Sequence, residues 1–266
     1  MKFIETHCSI PSAIKYALIS CCLLGLVASG CKTETLPDPN DPVVGGLVTG
    51  EILLRNVNAV VSSLDQRMTK GEIDKSERDK LLEKEVHQML DGINVDKIPP
   101  KQAWQFGDAF RLAGDWDQAQ KLYTIAVKSA SSVDRRVNDS LRLARVQAHF
   151  GNVDAAIATC RTLFDVSPQD KAPILMAVLY EIVPEGQGKG KDPELAKLLE
   201  DAIAQHEETI INATSEAGKA FLIARPLHVH NAWFKAAQLY GGAGKLDDAR
   251  RAIEMDEKSR GKRASF

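Results

Sequence analysis

Apolar residues return at helical spacing along most of the chain. Ile52, Leu53, Val57, Val60, Val61 and Leu64 form one stripe, which Lys70-Gly71 interrupts. Leu81, Leu82, Val86, Met89 and Leu90 form the next. Ser76 with Asp79 is placed to start that second helix, because short polar side chains satisfy the N–H groups of a first turn. The charged residues between the stripes make a solvated face. Pro99-Pro100 then punctuates the chain, and helical patterning resumes at Ala103. The pattern divides the chain into a helical N-terminal segment over 47–98, a longer helical region over 99–260 and a tail over 261–266. The expected fold class is all-α.

The longer region repeats itself. AWQFGDAFRLAGDWDQAQKLYTIAVKSA, from Ala103, places Gly107, Ala109, Phe110, Gly114, Asp115, Trp116, Ala119, Tyr123 and Ala126 at characteristic intervals. LRLARVQAHFGNVDAAIATCRTLFDVSP gives a second copy through Ala144, Gly151, Val153, Ala156, Cys160, Leu163 and Pro168. NAWFKAAQLYGGAGKLDDARRAI gives a third through Trp233, Ala237, Tyr240, Gly244, Leu246 and Ala249. These copies resemble the tetratricopeptide repeat, a helix-turn-helix unit of about 34 residues. Physical reasons accompany the likeness. Gly107 and Ala119 are small where two helices would approach closely. Gly114 stands where a helix can end in a left-handed residue. Asp115 opens the next helix, where a carboxylate suits the amide dipoles. Cys160 takes the place of Tyr123 and reads as a small buried hydrophobe. Asp256 falls where a small apolar residue is usual, so the last helix is expected to fray or cap. Between the second and third copies lies a divergent unit. Its expected parts are a helix over 172–182, an enlarged loop over 183–192, a helix from Pro193 to about Ile210, and another over 215–224 before Pro226. The resemblance implies a tetratricopeptide-like α-solenoid of helix pairs.

Composition changes the picture at the N-terminus. Lys15 precedes the apolar run YALISCCLLGLVASGC, which ends at Ala28-Ser29-Gly30-Cys31. This has the parts of an export signal. Its end resembles a bacterial lipoprotein signal, which implies cleavage after residue 30 and lipidation of Cys31. Two other readings stay open: an uncleaved anchor, although 16–30 is short of the roughly 20 residues that span hydrocarbon, and a secretory signal cut elsewhere. Residues 31–46, with three prolines and Gly45-Gly46, read as a flexible tether. The expected location is the bacterial cell envelope, with the domain periplasmic or extracellular and the membrane leaflet open. Cleavage would remove Cys8, Cys21 and Cys22 and leave Cys160 without an intramolecular disulfide partner. The formal net charge of −2 does not suggest nucleic-acid binding.

No catalytic constellation is legible. Gly186, Gly188 and Gly190 lack the spacing and the Lys-Ser/Thr ending of a phosphate loop. His206-Glu207 starts like a zinc-protease helix, but Ile210 stands where the second histidine would be. His228 and His230 are two apart, so they face different ways on a helix, and no cysteine pair has metal spacing. No cofactor or metal site is expected, and the chain reads as a binding protein rather than an enzyme. In the repeat family the first helices line a groove. The resemblance puts Trp104, Asp108, Arg111, Asn138, Leu141, Arg145, His149, Asn231, Phe234 and Gln238 on that inner side. Arg111, Arg145 and His149 would make it mildly basic, and Trp104, Leu141 and Phe234 would supply apolar contact. The expected role is a lipid-anchored scaffold for a protein or peptide partner. The alternative is an accessory or enzyme-associated module that binds a glycan or another small ligand. The oligomeric state is left open.

Overall fold

The computed structural model describes residues 48–263, with side chains to residue 260. The export signal, Cys31 and the tether lie outside the described residues. The described part is all-helical and falls within one compact unit, with no strand among the described residues. Its helices are α1 (Gly50–Thr69), α2 (Lys75–Leu90), α3 (Ala103–Leu112), α4 (Trp116–Ser129), α5 (Val133–His149) and α6 (Val153–Arg161). Then follow α7 (Ala172–Ala177), α8 (Val183–Gly186), α9 (Asp192–Glu207), α10 (Glu216–Gly242) and α11 (Leu246–Arg263). Helices adjacent in sequence pack as neighbouring pairs. None is long and apolar enough to cross a membrane.

Four of the turns share one construction. The N–H of Glu72, Asp115, Asn152 and Lys245 each donates to a carbonyl five residues back, at 3.0, 2.9, 2.9 and 2.9 Å. The residue before each donor is a glycine with φ between 73° and 80°, namely Gly71, Gly114, Gly151 and Gly244. This is a helix end closed by a left-handed residue, a conformation that costs a side chain free energy and costs glycine almost none. Polar caps complete several starts. Asp74, Asp115 and Ser132 accept from the N–H groups of Glu77, Gln118 and Arg135. The cap of α2 is therefore Asp74, two residues before the expected Ser76.

The small residues sit where helices touch. A Cβ built on Gly107 would lie 2.7 Å from the Tyr123 ring, and Ala119 and Ala156 are fully buried. Leu53, Val57, Leu82 and Val86 of α1 and α2 share a core with Phe106, Ala109, Leu122 and Tyr123 of α3 and α4. Position 98/99, where the sequence pattern changes, is therefore not a boundary in packing. A second core joins α5 to α11 and includes Cys160, whose thiol burial pushes up to about 12.

The divergent unit departs from expectation in three places. The helix begun at Ala172 does not stop at residue 182. It widens into a π-helical turn, Val178–Ile182, and continues as α8 to Gly186, so the loop shrinks to 187–191. Pro184 explains the widening: it has no N–H, and its ring would strike the carbonyl four residues back. The Val183 N–H reaches five residues back, to Val178. Helix α9 ends at Glu207, three residues short of Ile210. Pro226 does not end a helix but lies inside the 27 residues of α10. The carbonyl deprived of a donor belongs to Leu222, an exposed residue, while Val229, Ala232, Trp233 and Ala236 hold the following turns in the core. At the C-terminus, Asp256 is buried and paired with His230 at 2.8 Å and Arg260 at 2.7 Å. Those two partners replace the expected apolar packing, and α11 runs on through residues 261–263.

His206 on α9 is only 1 % exposed, and neither ring nitrogen has a partner. Burial, with Arg225 and His228 adding positive charge nearby, pushes its pKa down to about 4. The folded state thus resists protonation between the ordinary value of 6.5 and about 4, while the unfolded chain accepts the proton. Stability is complete above pH 6.5 and falls as the pH drops through that window, by about 2–4 kcal/mol from this group. His206→Leu should flatten the pH dependence of the melting temperature between pH 7 and 4.5; a slope equal to wild type would contradict it. Gly107→Ala should cost about 1–3 kcal/mol through overpacking against Tyr123. Thermal unfolding followed by circular dichroism checks this, and an unchanged midpoint would mean that the ring moves freely aside.

Candidate functional site

Five of the ten residues expected on an inner face meet in one place. Asp108 and Arg111 of α3 and Asn138, Leu141 and Arg145 of α5 line a recess of about 290 Å³. Tyr123, Arg142, Pro173, Met176, Ala177 and Glu181 complete it. Leu141 is a buried floor residue rather than an exposed apolar contact.

A polar network fixes one wall. Asp108 Oδ1 accepts from the Tyr123 hydroxyl at 2.6 Å and from Arg142 Nε at 3.0 Å. Arg142 and Arg135 both donate to Asp139 Oδ1, at 3.4 and 2.6 Å. Asp139 is buried; desolvation raises its pKa, and the two arginines work against that rise. Desolvation, with the Asp108 charge behind it, also raises Tyr123 well above the ordinary phenol value, so its hydroxyl stays a donor. The same two guanidiniums lie over the Trp104 ring, 4.1 and 4.9 Å from its centroid. Trp104 is thus already engaged by cation–π contacts and does not line this recess.

The basic character expected of the site is mostly neutralised. Arg145 donates to Glu181 at 3.3 Å and to Glu185 at 3.4 Å. Both bonds are long for a charged pair, and its buried Nε has no acceptor. His149 Nδ1 faces Glu185 Oε2 at 2.9 Å, and its ring stacks on Trp116 at 3.7 Å with the planes 6° apart. His149 lines a different, more open cleft of about 830 Å³, with Trp116, Phe150 and residues of α2 such as Lys84 and His87. Arg111 differs from both. It is half-buried, and its guanidinium has no carboxylate or hydrogen-bond partner among the described residues.

The three expected residues on α10 do not join the recess. Asn231 donates to the Tyr180 hydroxyl at 3.0 Å, while Phe234 and Gln238 are exposed. Phe234 lies about three turns beyond Ile223 and about two beyond Leu227, which are also exposed. Glu181 and Glu185 are the residues that sequence reasoning missed. Glu181 already lay on the expected helix over 172–182, and the apolar run Val178 to Val183 is the signal that could have extended that helix to Glu185. Among the described residues no group of three or more His, Cys, Asp or Glu could hold a metal ion. No protein-family model, no curated protein and no solved structure matches the chain.

Proposed function

We propose that the chain is a lipid-anchored scaffold of the bacterial cell envelope, and that its helix pairs form a tetratricopeptide-like solenoid with a groove for a protein or peptide partner. The solenoid reading is supported by four turns with one hydrogen-bond pattern, each carrying a left-handed glycine. The observation that carries the binding reading is the recess, where α3, α5 and the α7 region converge and where Arg111 stands unpaired. First members of successive helix pairs lining one hollow is the arrangement a peptide groove needs. The anchor reading rests on the residues Ala28 to Cys31.

Arginine is among the residues that carry most interface energy, and charge across an interface mainly sets rate and specificity. Cross-linking in native membranes should capture a partner through this face, and Arg111→Glu should weaken its binding by about tenfold or more without lowering the melting temperature. Arg111 is the position to change. A carboxylate at 145 would face Glu181 and Glu185 and unsettle the fold. Equal affinities would move the partner to another surface. For the anchor, Cys31→Ser should release the protein from the membrane or block its processing, because stable anchoring takes two or more acyl chains. Metabolic labelling with a fatty-acid analogue is the check, and an unlabelled wild type removes the anchor.

A further inference from the structure

We propose that the outer face of the last helix pair, α10 with α11, is a self-association surface, against which a second copy of this chain packs about a two-fold axis.

Gly114, Gly151 and Gly244 close the first helices of three pairs with the same left-handed turn, so they mark equivalent positions. Counted from them, Phe234 matches Trp104 and Leu141, Leu246 matches Trp116 and Val153, and Ile253 matches Tyr123 and Cys160. In the two earlier pairs these positions are closed. Arg135 and Arg142 of α5 lie over Trp104, and His149 of α5 stacks on Trp116. Leu141, Val153, Tyr123 and Cys160 are at most 4 % exposed. In the last pair the same positions are open: Phe234 is 57 % exposed, Leu246 66 % and Ile253 50 %. Ile223 and Leu227, also exposed, extend the stripe along the face of α10 that Phe234 occupies. The bond between His230 and Asp256 sets the register of α10 on α11 and brings Phe234 level with Ile253. The last pair thus presents the surface of an inner pair without the neighbour that covers it.

The other end of the stack is built differently. On α1 the exposed residues from Arg55 to Gln66 are polar apart from Ala59, and its exposed large apolar residues, Ile52 and Met68, stand near its two ends. A polar outer face is what closes a stack of helix pairs against further growth. That end offers the open face of another copy no apolar match, so head-to-tail stacking is disfavoured. The matching surface is the same face of a second copy, and such a contact closes on two molecules.

Charge on the face fits the same occupant. Arg250, Ile253 and Glu257 stand on one side of α11, and all three are exposed. Antiparallel pairing of two α11 helices about an axis beside Ile253 sets Arg250 of each copy opposite Glu257 of the other. Both are available: the contact of Arg250 with Asp247 is long, at 3.4 Å, and open to water, and Glu257 has no ion pair among the described residues.

The test is disulfide capture of the full chain in intact cells. A cysteine beside a two-fold axis meets its own copy within bonding distance. Ile253→Cys should therefore give a covalent homodimer on mild oxidation, above the wild-type background. Arg55→Cys, on the polar face of α1, should not. Phe234→Asp in the Ile253→Cys chain should lower the dimer yield about tenfold, because it removes an aromatic side chain from the contact. Arg250→Glu should lower the yield about threefold, and adding Glu257→Arg should restore it, since the charges then face each other in exchanged places. Restoration of this kind cannot come from misfolding. The proposal falls if Ile253→Cys gives no homodimer, if Phe234→Asp leaves the yield unchanged, or if the exchanged pair is not restored. Capture of a protein of different mass at position 253 would give the face to another partner and overturn the second-copy assignment. A mixed dimer of Ile253→Cys and Arg55→Cys chains would mean head-to-tail stacking and overturn the two-fold axis.

Discussion

Three residues join α3 to α4, and three join α5 to α6 and α10 to α11. A connection that short cannot carry the second helix away, so it must return along the first at contact distance. The requirement explains the residues that meet it. The left-handed glycine makes the reversal without strain, as at Gly114. The facing surfaces must include small residues, so Gly107 leaves room for the Tyr123 ring. Apolar stripes that could not be buried on one helix are buried on its partner and on the next pair, which is how α5 comes to touch both cores.

The same constraint builds the recess. Since each pair is short and closely packed, the first helix of one pair lies within side-chain reach of the first helix of the next. Asp108 and Arg142 are 34 residues apart in sequence yet form a direct ion pair. Tyr123 reaches the same carboxylate from the second helix of the pair. Three helices are thereby pinned at one polar point, with the Trp104 ring under two guanidiniums beside it. Half-buried pairs of this type contribute little net stability when intact, and they make the loss of one partner costly. Their main effect is registration: they fix where Arg111, Asn138 and Arg145 stand relative to one another.

Much of the helical framework was legible in the sequence because its signals are local. Gly114, Gly151 and Gly244 announce turns through backbone sterics alone, and Ala119 and Ala156 announce close contact through size. The readings that failed depended on surroundings. Pro184 and Pro226 are helix breakers by their own chemistry, yet a π-helical turn accommodates the first, and the second lies one turn after Leu222, an exposed residue, inside a continuous helix. Asp256 looks wrong for a packed position until His230 and Arg260 are seen against it. For the site, sequence reasoning placed Asp108, Arg111, Asn138, Leu141 and Arg145 on one side, and they share one recess. It placed Glu181 on a helix and Glu185 in a loop and could not see that both meet Arg145, so it counted Arg145 and His149 as basic.

That difference separates composition from electrostatics. Arg111, Arg145 and His149 appear near one another in the sequence pattern, but a basic group matters to a partner only to the extent that its own fold leaves it unanswered. His149 is held by Glu185 and covered by Trp116. Arg142 is spent on Asp108 and Asp139. Arg145 is answered by two long bonds and an empty Nε, and Arg111 is not answered at all. Arg111 is half-buried as a residue, yet none of its guanidinium nitrogens is both shut off from water and without a partner, so its charged end keeps water as its partner. Counting Arg135, Asp139 and Glu185 with the lining residues, four arginines stand against four carboxylates around the recess. What distinguishes Arg111 is not an excess of charge around it but the lack of a directly paired carboxylate, which leaves its donors to water or to a partner.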